Sequence, residues 1–329
     1  MIFNPRALIF SSDTDFTGKA LMTFRFQYAY NDVYKRFVDA LNCDPSTVDS
    51  IGTIPFLPVS FFKTHSVVTT SFKTRTVFSS SGTTNSVTSR HFVKDIELYE
   101  QSFTTAFEML YGPVKNYCIL GLLPSYLERE GSSLIYMVEK MMKMSAHEDN
   151  GFYLSDFGNL AGKLKKLEEA NQKTLLIGVS FALLDFAQTC PMPLKNVIVM
   201  ETGGMKGRKK ELLRTEVHQL LQSAFCIENI HSEYGMTELF SQAYAKTEGK
   251  FIAPPWMKVL IRQEDDPLKV AAYPGMPVVG GVNVIDLANL YSCSFIATDD
   301  IGKLYPDGSF EVLGRFDNSD VRGCSLMVT

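Results

Sequence analysis

Phe26, Tyr28, Tyr30, Val33, Tyr34, Phe37, Val38 and Leu41 recur at roughly helical spacing, which predicts that the first sixty residues are mostly helical. The segment Ile54-Pro55-Phe56-Leu57-Pro58 breaks any helix, because proline removes a backbone donor and restricts the residue before it. Over residues 64–89 hydroxyls fill 15 of 26 positions, a composition that also suits a solvated linker. Val67, Val68, Phe72, Val77 and Phe78 interleave with those hydroxyls in strand fashion, however, and a compact turn, Ser79-Ser80-Ser81-Gly82-Thr83-Thr84, follows. A strand and then a hydroxyl-rich loop are predicted.

Downstream, short apolar runs alternate with longer amphipathic stretches. Residues 117–123, 175–179, 196–200 and 226–230 read as strands. The clearest helix is 208–224, with Leu212, Leu213, Val217, Leu220, Leu221 and Ala224 on one face and Lys209, Lys210, Arg214 and Gln222 on another. Such alternation predicts an α/β fold with a largely parallel sheet, whose ligands sit beyond the carboxyl ends of the strands. After about residue 250 the chain turns to proline, glycine and β-branched residues, as in Pro254-Pro255 and Tyr273-Pro274-Gly275-Met276-Pro277. We therefore expect an α/β core over 1–250 and a β-rich subdomain over 251–329, with no internal repeat.

Composition changes this picture mainly by exclusion. The 329 residues carry 32 basic and 36 acidic side chains, a net charge of −4, and 45% hydrophobic residues, as in an ordinary globular protein. No basic stripe offers a nucleic-acid footprint. The most apolar stretch, 175–187, is interrupted by Gly178, Ser180 and Asp185 and falls short of the roughly 20 residues that cross a bilayer. Met1-Ile2-Phe3-Asn4-Pro5-Arg6 does not open an export signal, so a cytoplasmic location is expected. Six cysteines without a Cys-x-x-Cys pair suggest neither a disulfide framework nor a zinc site; all but Cys324 are expected as buried thiols. His65, His91, His147 and His218 lack metal-like spacing and are expected at the surface or at caps. His231, beside the 234–238 motif, is a candidate for the lining of an acid pocket. Met137, Met141, Met142 and Met144 read as core or interface filling.

Three constellations could carry chemistry. The 79–84 loop offers five hydroxyls and, around Gly82, amides able to turn toward an anion, although it equally fits a plain Ser/Thr turn. The segment His231-Ser232-Glu233-Tyr234-Gly235-Met236-Thr237-Glu238 is expected as a loop after the 226–230 strand. It combines an aromatic ring, a glycine, a hydroxyl and a carboxylate able to hold a hard cation, while a helix N-terminus with capping by Thr237 and Glu238 stays open. Thr298-Asp299-Asp300, followed by Gly314-Arg315, offers an Asp at a strand end that can accept both hydroxyls of a ribose, with an Arg in support. Asp307-Gly308 between them reads as a hairpin turn.

In this order, Ser80-Ser81-Gly82-Thr83-Thr84, Tyr234-Gly235-Met236-Thr237-Glu238, Thr298-Asp299-Asp300 and Gly314-Arg315 resemble the motif set of the adenylate-forming superfamily of acyl-CoA ligases, adenylation domains and luciferases. The resemblance implies a layered α/β large-domain fold with mostly parallel sheets and a smaller β-rich C-terminal subdomain. It implies that Ser80, Ser81, Gly82, Thr83 and Thr84 flank the β- and γ-phosphates of ATP. Gly203, Gly204, Tyr234 and Gly235 would enclose adenine, Thr237 would touch the α-phosphate, Glu238 would hold Mg2+, and Asp300 with Arg315 would bind the ribose. Two departures stand out. Asn85 replaces a second loop glycine, which its tolerance of the left-handed conformation permits, and Ser89-Arg90 stands where a lysine is usual, leaving Arg90 open as the basic group. Only 14 residues follow Arg315, so the superfamily's small C-terminal domain is expected to be absent.

The tail Val321-Arg322-Gly323-Cys324-Ser325-Leu326-Met327-Val328-Thr329 resembles that of the acyl-protein synthetases of bacterial bioluminescence systems, in which a cysteine accepts the acyl group and passes it to a reductase. Phe56-Leu57-Pro58-Val59-Ser60-Phe61-Phe62-Lys63 and Glu201-Thr202-Gly203-Gly204-Met205-Lys206-Gly207 extend the likeness over nearly the whole chain. Arg322 favours the thiolate of Cys324, and the nine residues from Arg315 reach about 30 Å when extended, enough to return to the site. A terminal strand with a packed cysteine is the alternative. The activity implied is ATP-dependent activation of a carboxylic acid, of the fatty class, with transfer to Cys324 and on to a partner protein such as an acyl reductase. An acyl- or aryl-CoA ligase and a non-catalytic nucleotide-binding scaffold are the alternatives.

Overall fold

The helical spacing near the N-terminus becomes two helices, Phe16–Tyr30 and Asp32–Ala40, in the computed structural model. The structure describes residues 9–11, 15–80, 87–123, 131–203, 212–263, 266–271 and 275–316. Asn31 divides the two helices: its Oδ1 caps the second by accepting the Tyr34 N–H at 3.0 Å, while its amide donates to Thr69 Oγ1 and the Ser292 carbonyl. The Pro55–Pro58 break leads into a short strand, β1 (Leu57–Pro58), and a hairpin, β2 (Thr76–Ser79) and β3 (Arg90–Val93), brackets the hydroxyl-rich loop.

Strands β4 (Cys118–Leu122), β5 (Gly151–Phe152), β6 (Thr174–Gly178), β7 (Val197–Glu201), β8 (His231–Tyr234) and β9 (Ala243–Ala245) form one sheet in the order β5-β4-β6-β7-β8-β9. All neighbours run parallel except β8 and β9. Buried on both faces, β4, β6 and β7 are continuous apolar runs, which is why they were legible as strands. Helices Ile96–Tyr111 and Ser133–Ser145 cover one face; Phe157–Glu169, Ser180–Thr189 and Arg214–Phe225 cover the other. Met137, Met141 and Met142 fill the core, and Met144 is exposed.

The remaining strands, β10 (Met257–Arg262), β11 (Val278–Asp286), β12 (Phe295–Leu304) and β13 (Phe310–Arg315), form an antiparallel sheet, as the composition shift after residue 250 predicted. Its β12 edge also takes β1 in parallel, pairing Leu57 with Ile296. Asp307-Gly308 makes the β12–β13 turn, with Gly308 at φ +83°.

Several expectations are corrected. The strand expected at 226–230 lies at His231–Tyr234 instead, because Cys226, at φ 53°, ends the preceding helix in the left-handed conformation. The helix expected from residue 208 begins at Arg214; of that stretch, residues 208–211 lie outside the described residues, while Leu213 is the extended N-cap and Leu212 precedes it outside the helix. Cys118 and Cys293 are buried, but Cys43 and Cys190 are half-buried and Cys226 is exposed. His91 and His218 are buried, not at the surface. No helix among the described residues is long and apolar enough to cross a membrane.

Candidate active site

The carboxyl ends of β7 and β8 open toward the antiparallel sheet, and three of the predicted residues meet there. Tyr234, the last residue of β8, donates its hydroxyl to Asp300 Oδ2 at 2.8 Å, across 66 positions of sequence. Arg315 Nε donates to Asp300 Oδ1 at 2.9 Å, since β13 places Arg315 directly opposite Asp300. Asp300 lies inside β12, not at its end as expected; the pairing with β13 shifts register at the next residue, a bulge that re-aims the strand. Asp300 and Tyr234 are buried, and Arg315 is exposed. Burial and the Asp300 charge push the Tyr234 phenol far above its ordinary range, so it remains a donor. The cluster holds a carboxylate in a fixed orientation beside an aromatic ring.

After Tyr234 the chain runs through Gly235, Met236, Thr237 and Glu238 without forming a helix, which overturns the helix-capping alternative. Other elements hold this segment in place. His91, on β3, shares a hydrogen bond of 2.8 Å between Nδ1 and the Thr237 carbonyl, and its ring stacks on Phe240 at 4.6 Å. A carbonyl can only accept, so Nδ1 carries the proton and Nε2 presents a lone pair. Burial lowers His91 to about 4, keeping it neutral at pH 7. Asp286, wholly buried, accepts the N–H groups of Phe240 and Ser241 at 2.8 and 2.9 Å and the Ser241 hydroxyl at 2.6 Å. Asn289 donates to the Glu238 carbonyl at 2.7 Å. Glu238 is buried, and burial raises its carboxyl, against the pull of the Ser89 hydroxyl and the charges of Arg315 and Lys63. That neighbourhood ties Glu238 to both the hydroxyl loop and the Asp300 cluster.

Glu201 ends β7 and is 2% exposed. Its Oε2 accepts the Gly203 N–H at 2.7 Å and the Ser180 hydroxyl at 3.0 Å; its Oε1 faces Arg214 Nε at 3.1 Å and His218 Nε2 at 3.6 Å. Burial alone would raise this carboxyl. Hydrogen bonding with His218, the Arg214 charge, and donation from Ser232 and Gly203 outweigh it and hold Glu201 at about 2. The result is a rigid turn at Gly203, whose φ of +71° suits glycine.

Ser80 closes the β2–β3 hairpin: its N–H donates to the Ser89 carbonyl at 3.1 Å and its Oγ accepts the Ser89 N–H at 2.9 Å. Arg90 stands opposite Ser79 on the hairpin, exposed, with its guanidinium over the Phe92 ring. Of the predicted site residues, Ser81, Gly82, Thr83, Thr84, Gly204 and Cys324 lie outside the described residues. His231 is half-buried, bonded through Nδ1 to the Tyr111 hydroxyl at 3.1 Å. Sequence reasoning missed His91, Glu201, Arg214 and Asp286. Glu201 carried a signal, since a carboxylate ending an apolar strand just before a Gly-Gly turn must find partners; the other three carried none.

Across residues 1–329 the chain matches the model of the family described as acyl-protein synthetase, LuxE. No curated protein matches it. Among solved structures, 2-hydroxyisobutyryl-CoA ligase in complex with 2-HIB-AMP and CoA is similar with a TM-score of 0.65 at 11% identity, over 92% of this chain and 68% of that one. ATP-bound MatB from Rhodopseudomonas palustris is similar with a TM-score of 0.54 at 15% identity, over 73% of this chain and 47% of that one, so the chain spans about half its length. The luciferase-like enzyme from the mealworm Zophobas morio is similar with a TM-score of 0.51 at 14% identity, over 75% of this chain and 59% of that one. At these identities the likeness is one of fold.

Proposed function

The chain belongs to the LuxE family of acyl-protein synthetases, and from that premise we propose that it activates a carboxylic acid, of the fatty class, with ATP and transfers the acyl group through Cys324 to a partner protein. The observation that carries the reading is the Tyr234–Asp300–Arg315 cluster, set beside the clamped Thr237–Glu238 segment and the hydroxyl-rich hairpin.

In this reading Asp300 accepts the ribose hydroxyls, oriented by Tyr234 and Arg315, and adenine lies against Tyr234, Gly235, Gly203 and Gly204. Ser80, Ser81, Gly82, Thr83 and Thr84 receive the β- and γ-phosphates, and Thr237 meets the α-phosphate. A carboxylate oxygen of the acid attacks the α-phosphorus, the bond to the β-phosphate oxygen breaks, and pyrophosphate departs, leaving an acyl-adenylate. Positioning and electrostatics do most of this, because the chain presents fixed dipoles and charges rather than a covalent partner for the step. Mg2+ takes one or two carboxylates and completes its shell from phosphates and water, which suits Glu238, a buried hard-oxygen ligand whose charged form a cation would favour. When bound, it supplies neutralisation of charge on the leaving pyrophosphate. The Cys324 thiolate then attacks the acyl carbon, AMP departs with the electron pair of the anhydride bond, and a thioester results.

Intact mass of the protein after incubation with ATP, Mg2+ and a panel of short, long and aromatic acids, beside Cys324→Ala, tests the proposal. An acyl adduct that requires ATP and Cys324 and is cleaved by hydroxylamine is expected. Formation of AMP without an adduct would redirect the acyl group to an external thiol such as CoA, and absence of both products across the panel would leave a nucleotide-binding scaffold.

A further inference from the structure

Strand β10 lies at the edge of the antiparallel sheet, and the segment around Val270 covers only the end of its free side, pairing with Arg262. Along this edge runs a groove of about 500 Å³, a volume within the range that takes a small organic ligand. Ile252, Pro254, Leu260, Val278 and Leu304 give it apolar walls, and Ile252 is 51% exposed. Apolar surface left open in a concave site marks a place of contact.

The charged chemistry of the groove is sparse and leaves one cation over. Asp307, the only acid in its lining, is paired with Lys250 at 3.5 Å and accepts the Ser309 N–H at 3.0 Å. Lys258 is exposed and holds its ammonium 5.0 Å from the centre of the Phe16 ring, both residues lining the groove, and it has no acidic partner among the described residues. An apolar trough with an uncommitted ammonium suits a ligand that joins an alkyl chain to an anion. Tyr234, Asp300 and Arg315 are not part of the lining. Phe251 and Phe310 stack at 5.4 Å and pack on Tyr234 at 5.8 and 5.5 Å, while their chain neighbours Ile252 and Ser309 line the groove. A pair of aromatic rings therefore stands between this groove and the nucleotide cluster.

We propose that the groove is a second binding site, separate from the adenylation centre, for a free medium-chain alkyl carboxylate. The chain lies against Ile252, Leu260, Val278 and Leu304, and the carboxylate meets Lys258. The acid held there does not react, because the Thr237–Glu238 segment is not part of the groove, and its binding needs no ATP. Charge complementarity selects the head group, since an alkylammonium would be repelled by Lys258 and an alcohol would gain nothing from it.

The test is calorimetric titration of the full chain with octanoate, decanoate, dodecanoate and decanol, without nucleotide and again with saturating AMP. Wild type, Lys258→Glu and Ile252→Asp are compared; both substitutions fall on exposed side chains outside the nucleotide cluster. Full burial of a methylene is worth about fourfold in affinity, so in a groove open on one side each two-carbon extension should tighten binding about fourfold. Lys258→Glu replaces attraction by repulsion and should weaken decanoate about tenfold, an effect that shrinks in high salt, while decanol is unchanged. Ile252→Asp should weaken both ligands, and AMP should alter neither. Absence of decanoate binding, affinity that ignores chain length, or equal binding to wild type and Lys258→Glu overturns the proposal. Loss of the decanoate signal with AMP also overturns it, by placing the acid in the adenylation centre. None of these results bears on adenylation itself, which the ATP-dependent adduct decides.

Discussion

Arg214→Ala tests whether the buried Glu201 centre holds the structure around the Gly203 turn. The substitution removes a guanidinium whose Nε lies 3.1 Å from Glu201 Oε1 and whose Nη1 donates to the Val312 carbonyl at 3.1 Å, tying helix Arg214–Phe225 to β13. Glu201 keeps Ser180, Gly203 and His218 but loses its permanent cation. Removing one partner of a buried pair costs about 3–5 kcal/mol, and with Arg214 28% exposed, water entering the vacated space favours the low end. His218, Arg214, Ser232 and Gly203 together hold the Glu201 carboxyl at about 2 against its burial, so Arg214 carries one share of that preference for the charged form. For 329 residues the unfolding entropy is about 0.7 kcal/mol per kelvin, so Tm should fall by about 4 °C. The assay is a double-mutant cycle with Glu201→Gln, read by urea and thermal unfolding at pH 7. In the Glu201→Gln background Arg214→Ala should cost only about 1 kcal/mol, the Val312 bond alone. The Glu201 contribution is fully present above pH 4.5 and is lost as pH falls through about 2, because its folded-state affinity for protons is depressed; the wild type's advantage over Arg214→Ala should therefore narrow across that window. Equal costs for Arg214→Ala in both backgrounds would refute the reasoning.

Three further outcomes are expected. Tyr234→Phe deletes the 2.8 Å hydrogen bond that orients Asp300, a bond to a charged acceptor worth about 1.5–3 kcal/mol, so calorimetry should show AMP binding weakened by roughly tenfold or more; unaltered affinity would detach Asp300 from the nucleotide. His91→Leu frees the Thr237 carbonyl and should lower kcat for ATP–pyrophosphate exchange about tenfold, with partial recovery in His91→Asn, whose amide can donate in place of Nδ1; identical rates in both variants would show that the clamp does not position the loop. Glu233→Gln should raise stability, because a carboxyl whose folded-state value is raised to about 8 favours folding only below its unfolded range and loses that advantage as pH climbs. The gain should grow from pH 4.5 to 8 and level off above it, and a pH-independent difference in urea midpoints would contradict the assigned burial.

Much of the frame was readable along the chain, for a reason particular to these strands. Strands β4, β6 and β7 are buried on both faces, so water is excluded from every side chain and the segments must be apolar throughout. The motif residues Tyr234, Asp300 and Arg315 were also readable, because their types and order survive in any view of the sequence, and folding brings all three into contact. β8 was not readable as a strand. His231, Ser232, Glu233 and Tyr234 carry polar groups, and a hydrophobic pattern cannot mark as buried a run whose partners are supplied by distant segments: Tyr111, His218, Tyr244 and Asp300. The same holds for His91, neutral and buried only because Thr237 and Phe240 arrive from 146 and more positions away, and for Asp286, held by the backbone of Phe240 and Ser241. Local periodicity reports how each segment partitions between water and core, which determined the α/β class, the helices and the β-rich end. Which buried polar group faces which, and therefore how the candidate site is held, depends on pairings between remote segments that only the closed tertiary structure decides.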